Sequence, residues 1–159
     1  MRSYMLPKRE VQNILSKLIQ TWPSNLLSSK IKEIKKVEIN YQESLFIVEN
    51  MVIVGVNEFL VPFLKNGEHF KAFPNIIVDL GAVQYICNGA DIMRPGIVNF
   101  DRAFNKDDIV LVQEEKYRKY IAVGIALLNS VEAKGKDKGP VVKNLHHVGD
   151  SFWEVFKNI

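Results

Sequence analysis

The sequence predicts an α+β fold in two parts: a small N-terminal α/β unit, then a mainly β pseudo-barrel. Three observations carry this. Val11, Ile14, Leu15, Leu18, Ile19 and Trp22 recur at one-face helical spacing. From Val37 the apolar period drops to two, with Val37, Ile39 and Tyr41 alternating with Glu38, Asn40 and Gln42. Beyond about residue 72, short β-branched runs alternate with Gly, Pro, Asn and Asp clusters. That is the punctuation of a small, nearly closed barrel of about six strands. The expected boundaries are residues 1–71, a helix on an antiparallel sheet, and residues 72–159, the barrel.

The first helix starts at Pro7, whose missing N–H costs nothing at the first helical position, and ends at Pro23. Arg9, Glu10, Gln12, Ser16, Lys17 and Gln20 fall on its polar side. Ile31 and Ile34 are read as one edge of a short helix, with Lys30, Lys32, Lys35 and Lys36 as its solvent face. Leu45–Val48 and Met51–Val54 form a hairpin turned by Glu49-Asn50, and Glu58–Val61 gives another strand. Pro62 is expected to open a short helix through Leu64, closed by Asn66-Gly67. A first unit of about 70 residues is near the lower limit for an independent core, so Phe70, Phe73 and Pro74 are expected to pack between the parts.

The second part opens with DLGAVQYICNGADIMRPGI, residues 79–97. The Ile76-Ile77-Val78 run suits a buried strand, and Asp79 can cap a helix. Ala82, Val83, Ile86 and Cys87 share one helical face; Asn88-Gly89 supplies a left-handed stop, and Pro95-Gly96 bends the chain into a strand at Ile97–Phe100. A polar loop surrounds Phe104, Ile109–Val112 is apolar on both faces, and Glu114–Lys119 is a charged hairpin tip. In the next strand Ile121, Val123, Ile125 and Leu127 face one way. Ala122, Gly124 and Ala126 face the other and admit a close neighbour. Residues 130–139 read as a Gly- and Lys-rich loop, and Val141–Val148 and Phe152–Phe156 as the last two strands.

Composition narrows the function classes. The chain has 159 residues and a formal charge of +3, with nine Lys/Arg against seven Asp/Glu in residues 1–70 and twelve against eleven in the remainder. A binding footprint must therefore come from clustering, not bulk charge. No apolar run reaches the ~18 residues of a membrane span, and residues 1–12 lack the apolar core of a signal peptide. The single cysteine excludes an internal disulfide and fits a reducing cytoplasm.

The residues that carry chemistry are few. His146-His147 are neighbours on a strand and point to opposite faces, one packed and one exposed; with a lone Cys87 and a distant His69, a zinc site is not expected. Cys87 on an apolar helix face reads as an inert core thiol, and Trp153 as packing. Asp107-Asp108 and Glu114-Glu115 do not converge on one site, and no nucleotide loop or nucleophile elbow occurs. No enzyme and no cofactor is expected.

Val78-Asp79-x-Gly81-Ala82-Val83, Gly89-Ala90, Met93, Pro95-Gly96-Ile97, Tyr120–Gly124 and Asn144–Asp150 with Trp153 together resemble the PUA domain, a compact RNA-binding pseudo-barrel. Asp107-Asp108 departs from a Gly-Asp common in these domains. With Trp22-Pro23, Val61–Leu64 and Phe73-Pro74, the chain is similar to the malignant T-cell-amplified sequence (MCTS/Tma20-like) translation factor family. The resemblance implies a non-catalytic, cytoplasmic role in ribosome recycling, reinitiation or tRNA handling. The expected partners are tRNA or rRNA, with the small ribosomal subunit or a protein partner docking on the N-terminal part. The alternative it leaves is an accessory subunit of a pseudouridine or archaeosine modification system. A small enzyme with its site between the two parts is a third reading, which a dry Phe70/Phe73 interface would dismiss.

The candidate RNA contacts are Gly89, Ala90, Arg94, Pro95 and Gly96, where small residues let a sugar–phosphate backbone approach and a guanidinium can fork-bond phosphate. From the residues alone the glycines serve the stop and the turn, and Arg94 is solvated; the resemblance favours RNA. Lys134, Lys136, Lys138 and Lys143 stand open between RNA contact and solvation, Asp137 diluting them. Lys116, Arg118 and Lys119 read as a solvated tip.

Overall fold

The computed structural model describes residues 1–28, 30–65 and 67–159. In chain order the elements are β1 (Arg2–Met5), α1 (Lys8–Thr21), β2 (Lys35–Glu38), β3 (Glu43–Val48), β4 (Met51–Val56), β5 (Phe59–Pro62) and a 3₁₀ turn, Gly67–Ala72. Then come β6 (Asn75–Val78), α2 (Leu80–Ile86), β7 (Ile92–Met93), the 3₁₀ turn Arg94–Gly96, β8 (Ile97–Phe100), β9 (Ile109–Glu114) and β10 (Tyr120–Ala126). The chain ends in α3 (Ser130–Lys134), β11 (Pro140–His147) and α4 (Ser151–Phe156). The fold is α+β, with a curled β half-barrel formed by the second sheet.

The first sheet is a five-stranded antiparallel meander in the order β1-β2-β3-β4-β5. Its hairpins turn through left-handed residues: Asn57 (φ 54°), a residue that tolerates φ > 0, and Glu49 (φ 56°), which does not do so readily. α1 buries Val11 and Leu18, while Ile19 faces solvent, so the apolar stripe is narrower than its spacing suggested. Trp22 closes the helix; its Nε1–H donates to the Leu60 carbonyl at 2.9 Å, and its ring meets Phe73 edge-on at 5.4 Å.

Four expectations in this half are corrected. Pro7 is the helix N-cap and not its first residue. No helix forms around Ile31 and Ile34; both are buried in irregular chain, and the Ile34 carbonyl accepts from Leu6 N–H. β2 starts at Lys35 and ends at Glu38, because Asn40 Oδ1 draws the N–H groups of Gln42 and Glu43 into a turn. Pro62 ends β5 and starts no helix, its buried ring facing Ile53 on β4. The expected Asn66-Gly67 stop includes Asn66, which lies outside the described residues. β1 was not expected at all.

The second sheet has six strands in the order β7-β11-β10-β9-β6-β8, antiparallel except for β6 against β9. Its two outermost strands, β7 and β8, are joined by three residues, Arg94–Gly96. So short a link forces the sheet to curl and brings its two edge strands near each other without pairing them. Period-two alternation divides β9 and β10 between two cores. Ile109, Leu111, Val123 and Ile125 pack with the first sheet, Phe70 and Phe73. Val110, Val112, Ala122 and Ala126 pack inside the curled sheet with Ile76, Ile86, Ile92 and Val142. Ile121 joins the second group against expectation, because the register shifts between Tyr120 and Ala122.

Two further corrections concern this half. Residues 130–134 are helical, started by Asn129, whose Oδ1 accepts from Glu132 N–H at 2.8 Å while Glu132 Oε1 accepts from Asn129 Nδ2 at 2.7 Å. Phe152–Phe156 is the helix α4 and not a strand; Asp150 caps it by accepting from Trp153 N–H at 3.0 Å. α4 buries Phe152 and brings Phe156 to 4.7 Å from Phe63 of the first half.

Candidate nucleic-acid interface

The seam between β7 and β8 gathers most of the expected site. Arg94 N–H donates to the Gly139 carbonyl at 2.8 Å, and Nη1 donates to the Ile97 carbonyl at 3.1 Å. Its guanidinium lies 5.3 Å from the centroid of the Phe100 ring, and the Lys134 ammonium lies 5.6 Å from the same centroid. Aromatic ring faces attract cations electrostatically, so Phe100 is approached by two positive charges from segments 40 residues apart. Arg94 Nε is buried and has no hydrogen-bond partner among the described residues. Arg94 is thus half-buried and engaged, not the free solvated side chain that local spacing suggested.

The bend before the seam is open. Asp79 caps α2 by accepting from Ala82 N–H at 2.9 Å, and Gly89 takes φ +97°, the left-handed stop. Gly89 and Ala90 are both exposed. Asn144 on β11 holds them down: Nδ2 donates to the carbonyls of Ile86 at 3.0 Å and Ala90 at 2.9 Å, and its backbone N–H donates to Asp91 Oδ1 at 3.0 Å. Gly96 lets the turn lie on α2; a Cβ there would stand 3.2 Å from Ala82 Cβ. Between α2 and the turn is a cavity of about 160 Å³ lined by Ala82, Tyr85, Ala90, Asp91, Met93 and Gly96 among others. At its rim Tyr85 is 63% exposed and Met93 46%. Pro95 is exposed beside it.

The lysines divide. Lys134 reaches the Phe100 ring; Lys136 and Lys138 are exposed on the loop that returns to Gly139, whose carbonyl Arg94 binds. Lys143 is exposed on β11, one residue past the Val142–Ile92 pair and so alongside Asp91. The Glu114–Lys119 tip belongs elsewhere: Glu114 is buried and accepts from the N–H groups of Tyr117 (2.6 Å) and Lys119 (2.9 Å). Burial pushes its carboxyl up, but those backbone bonds and the neighbouring Lys119 charge outweigh it and hold the group below its usual value.

Neither histidine belongs to a metal cluster; among the described residues no three His, Cys, Asp or Glu side chains gather. His146 is fully buried and stacks on Phe63 at 5.1 Å, while its neighbour His147 is half-buried near the bend. Cys87 sits half-buried, and burial pushes its thiol up, away from the reactive thiolate. Sequence reasoning missed Phe100 and Tyr85, and gave Asn144 and His147 no binding role although it singled both out.

Comparison with known proteins places the chain in a family. The PUA domain model matches residues 74–148. Translation machinery-associated protein 20 of Eremothecium gossypii is 31% identical over 92% of this chain and 88% of its own. The chain belongs to the translation machinery-associated protein 20 family. Malignant T-cell-amplified sequence 2 of Homo sapiens is 23% identical over 91% of this chain and 86% of its own. A solved structure of a hypothetical protein from Pyrococcus horikoshii superposes with a TM-score of 0.78 at 32% identity, covering 97% of this chain and 99% of that one. The family member described here carries the RNA-binding PUA domain in its second half. Among its described residues no helix is long and apolar enough to cross a membrane.

Proposed function

We propose that this protein acts in translation without catalysing a reaction, holding structured RNA at the Arg94–Gly96 seam and the Gly89–Ala90 bend. A tRNA acceptor end suits the site best, in ribosome recycling, reinitiation or tRNA handling in the cytoplasm. The observation that carries this reading is the pairing of Arg94 and Lys134 on the Phe100 ring, next to bare glycine and alanine main chain. Cations gathered around one ring offer contacts to phosphates, and the main chain lets the sugar come close. Lys136, Lys138 and Lys143 extend the positive rim. The cavity under Tyr85 and Met93 suits a base unstacked from a single-stranded end. The name of the relatives supports a place in translation.

The division into residues 1–71 and 72–159 belongs to the same proposal. The first unit would present its surface to the small ribosomal subunit or a protein partner while the second holds RNA. Phe70 and Phe73, each 1% exposed, leave no cleft at their own contact, and the cavity of about 220 Å³ that does open between the halves is walled mainly by Phe59, Leu60, Ile109 and Ile125, which speaks against a polar reaction cleft there.

Titration of a labelled tRNA across a salt series tests the proposal. Log affinity is expected to fall linearly with log salt. Lys134→Ala should weaken binding and lower that slope by about one, and Arg94→Gln should do at least as much, with unchanged thermal melts for Lys134→Ala as the folding control. Affinities untouched by both changes would remove the site.

A further inference from the structure

Phosphate contacts position a nucleic acid but do not tell RNA from DNA, and Arg94 and the lysines supply only such contacts. His147 supplies another kind. Its Nδ1 lies 2.9 Å from the Val148 carbonyl. A carbonyl only accepts, so in the neutral ring Nδ1 carries the hydrogen and Nε2 keeps a bare lone pair. Nε2 has no partner among the described residues. It stands 3.7 Å from the point a Cβ on Gly89 would occupy, on the open flank of the exposed bend.

The backbone that carries the ring is also fixed. His147 N–H donates to Asp150 Oδ2 at 2.9 Å, the oxygen that the His146 ring nitrogen meets at 2.8 Å. Asp150 Oδ1 takes the first turn of α4 through Trp153 N–H at 3.0 Å. A fixed acceptor beside glycine main chain suits a hydrogen-bond donor and rejects phosphate oxygens, which can only accept.

Resting on the RNA reading above, we infer that His147 is a specificity-determining contact whose Nε2 accepts from the ribose 2′-hydroxyl of the nucleotide lying against Gly89. The 2′-hydroxyl is what lets a site tell RNA from DNA. A base amine is the other donor of suitable chemistry. The ribose is favoured because close approach to glycine main chain brings the sugar, not a base edge, to this flank.

The probe is a tRNA acceptor-stem hairpin with an unpaired 3′ end, measured against its all-deoxy counterpart by anisotropy in mildly alkaline buffer. The wild type is expected to favour the ribose probe by roughly three- to tenfold, the effect of one hydrogen bond. His147→Phe should bring that ratio to about one with deoxy affinity unchanged, while His147→Gln, whose Oε1 can replace Nε2, should keep it. In the wild-type protein, one single 2′-deoxy substitution along the hairpin should reproduce the loss without any change to the protein. A ratio unmoved by His147→Phe, an equal loss on both probes, or altered preference among bases in place of sugars would each overturn the inference. If Lys134→Ala still weakens both probes in those cases, the RNA reading stands and only the role of His147 falls; if the wild type binds neither probe, both fall.

Discussion

The backbone N–H of Leu64 donates to Nε2 of His146 at 3.2 Å, joining residues 82 apart in sequence. The ring is stacked between halves, parallel to Phe63 at 5.1 Å and edge-on to Phe152 at 5.7 Å. Its other nitrogen meets Asp150 at 2.8 Å. For the Leu64 bond to exist, Nε2 must be unprotonated, so Nδ1–H is the donor to Asp150.

That geometry sets a pH dependence. Burial holds His146 below the ordinary imidazole range, although Asp150 pulls it upward. The unfolded chain takes up this proton near its ordinary value of about 6.5. The unfolded state therefore binds more protons as pH falls, and stability declines from about pH 7 downward. Asp150 adds a second loss. Burial pushes its carboxyl up, but the His146 bond and charge and the backbone N–H groups of Trp153 and His147 outweigh it, so its contribution goes as pH falls below about 4. Urea midpoints measured from pH 7.5 to 5 should fall more steeply for the wild type than for His146→Gln. At neutral pH that variant should lose roughly 2–3 kcal/mol by leaving Leu64 N–H and Asp150 poorly matched. Parallel profiles for the two proteins would contradict this account.

At Gly124 the neighbouring strand comes too close for any side chain. A Cβ there would stand 1.9 Å from the Lys143 carbonyl oxygen and 2.8 Å from its carbon. Backbone cannot step aside as a side chain can, so Gly124→Ala should separate β10 from β11 and cost more than about 3 kcal/mol. Loss of the cooperative thermal transition, or its shift by well over 10 °C, is the expected reading.

Asn144→Leu tests the clamp on the bend. It removes two side-chain bonds and leaves the Ile86 and Ala90 carbonyls without that donor. A loss of about 1–3 kcal/mol is expected, together with faster amide exchange at Gly89 and Ala90 than at the β9–β10 core. Protection unchanged at the bend would show that α2 holds it without help.

Asp107 occupies φ +74°, at the position where the resemblance led us to expect glycine. Its N–H still donates to the Ala126 carbonyl, so the turn itself is intact. Asp107→Gly should relieve the left-handed penalty, offset in part by the freedom glycine gains on unfolding, for a net stabilisation of a few tenths to about 1 kcal/mol. A lower melting temperature would reverse that sign.

Sequence reading reached what is local. Asp79, Gly89 and the β3–β4 turn follow from residue chemistry within a few positions. It failed where distant chain decides. β1 has four residues and mostly exposed side chains, and only its pairing with β2 makes it a strand. Phe152, Trp153 and Phe156 fit either period; Asp150, three residues ahead of Trp153, was the capping signal that favoured helix, as Asn129 and Glu132 were for α3. The site divided the same way. Glycine and proline marked the bend and the seam, but the meeting of Arg94 with Lys134 depends on Phe100, and Asn144 reaches Ile86 across 58 residues. No spacing rule encodes such distances.

Strands β9 and β10 have no idle side: one surface serves the first sheet and the opposite surface fills the half-barrel. They act as a party wall, and a change on either surface is felt by one tenant or the other. Tolerance for variation is thereby displaced to the periphery, onto α2, the bend and the lysine loop. On the RNA reading proposed above, the face offered to ligands is the one that can be rewritten most freely, and the masonry beneath it stays fixed.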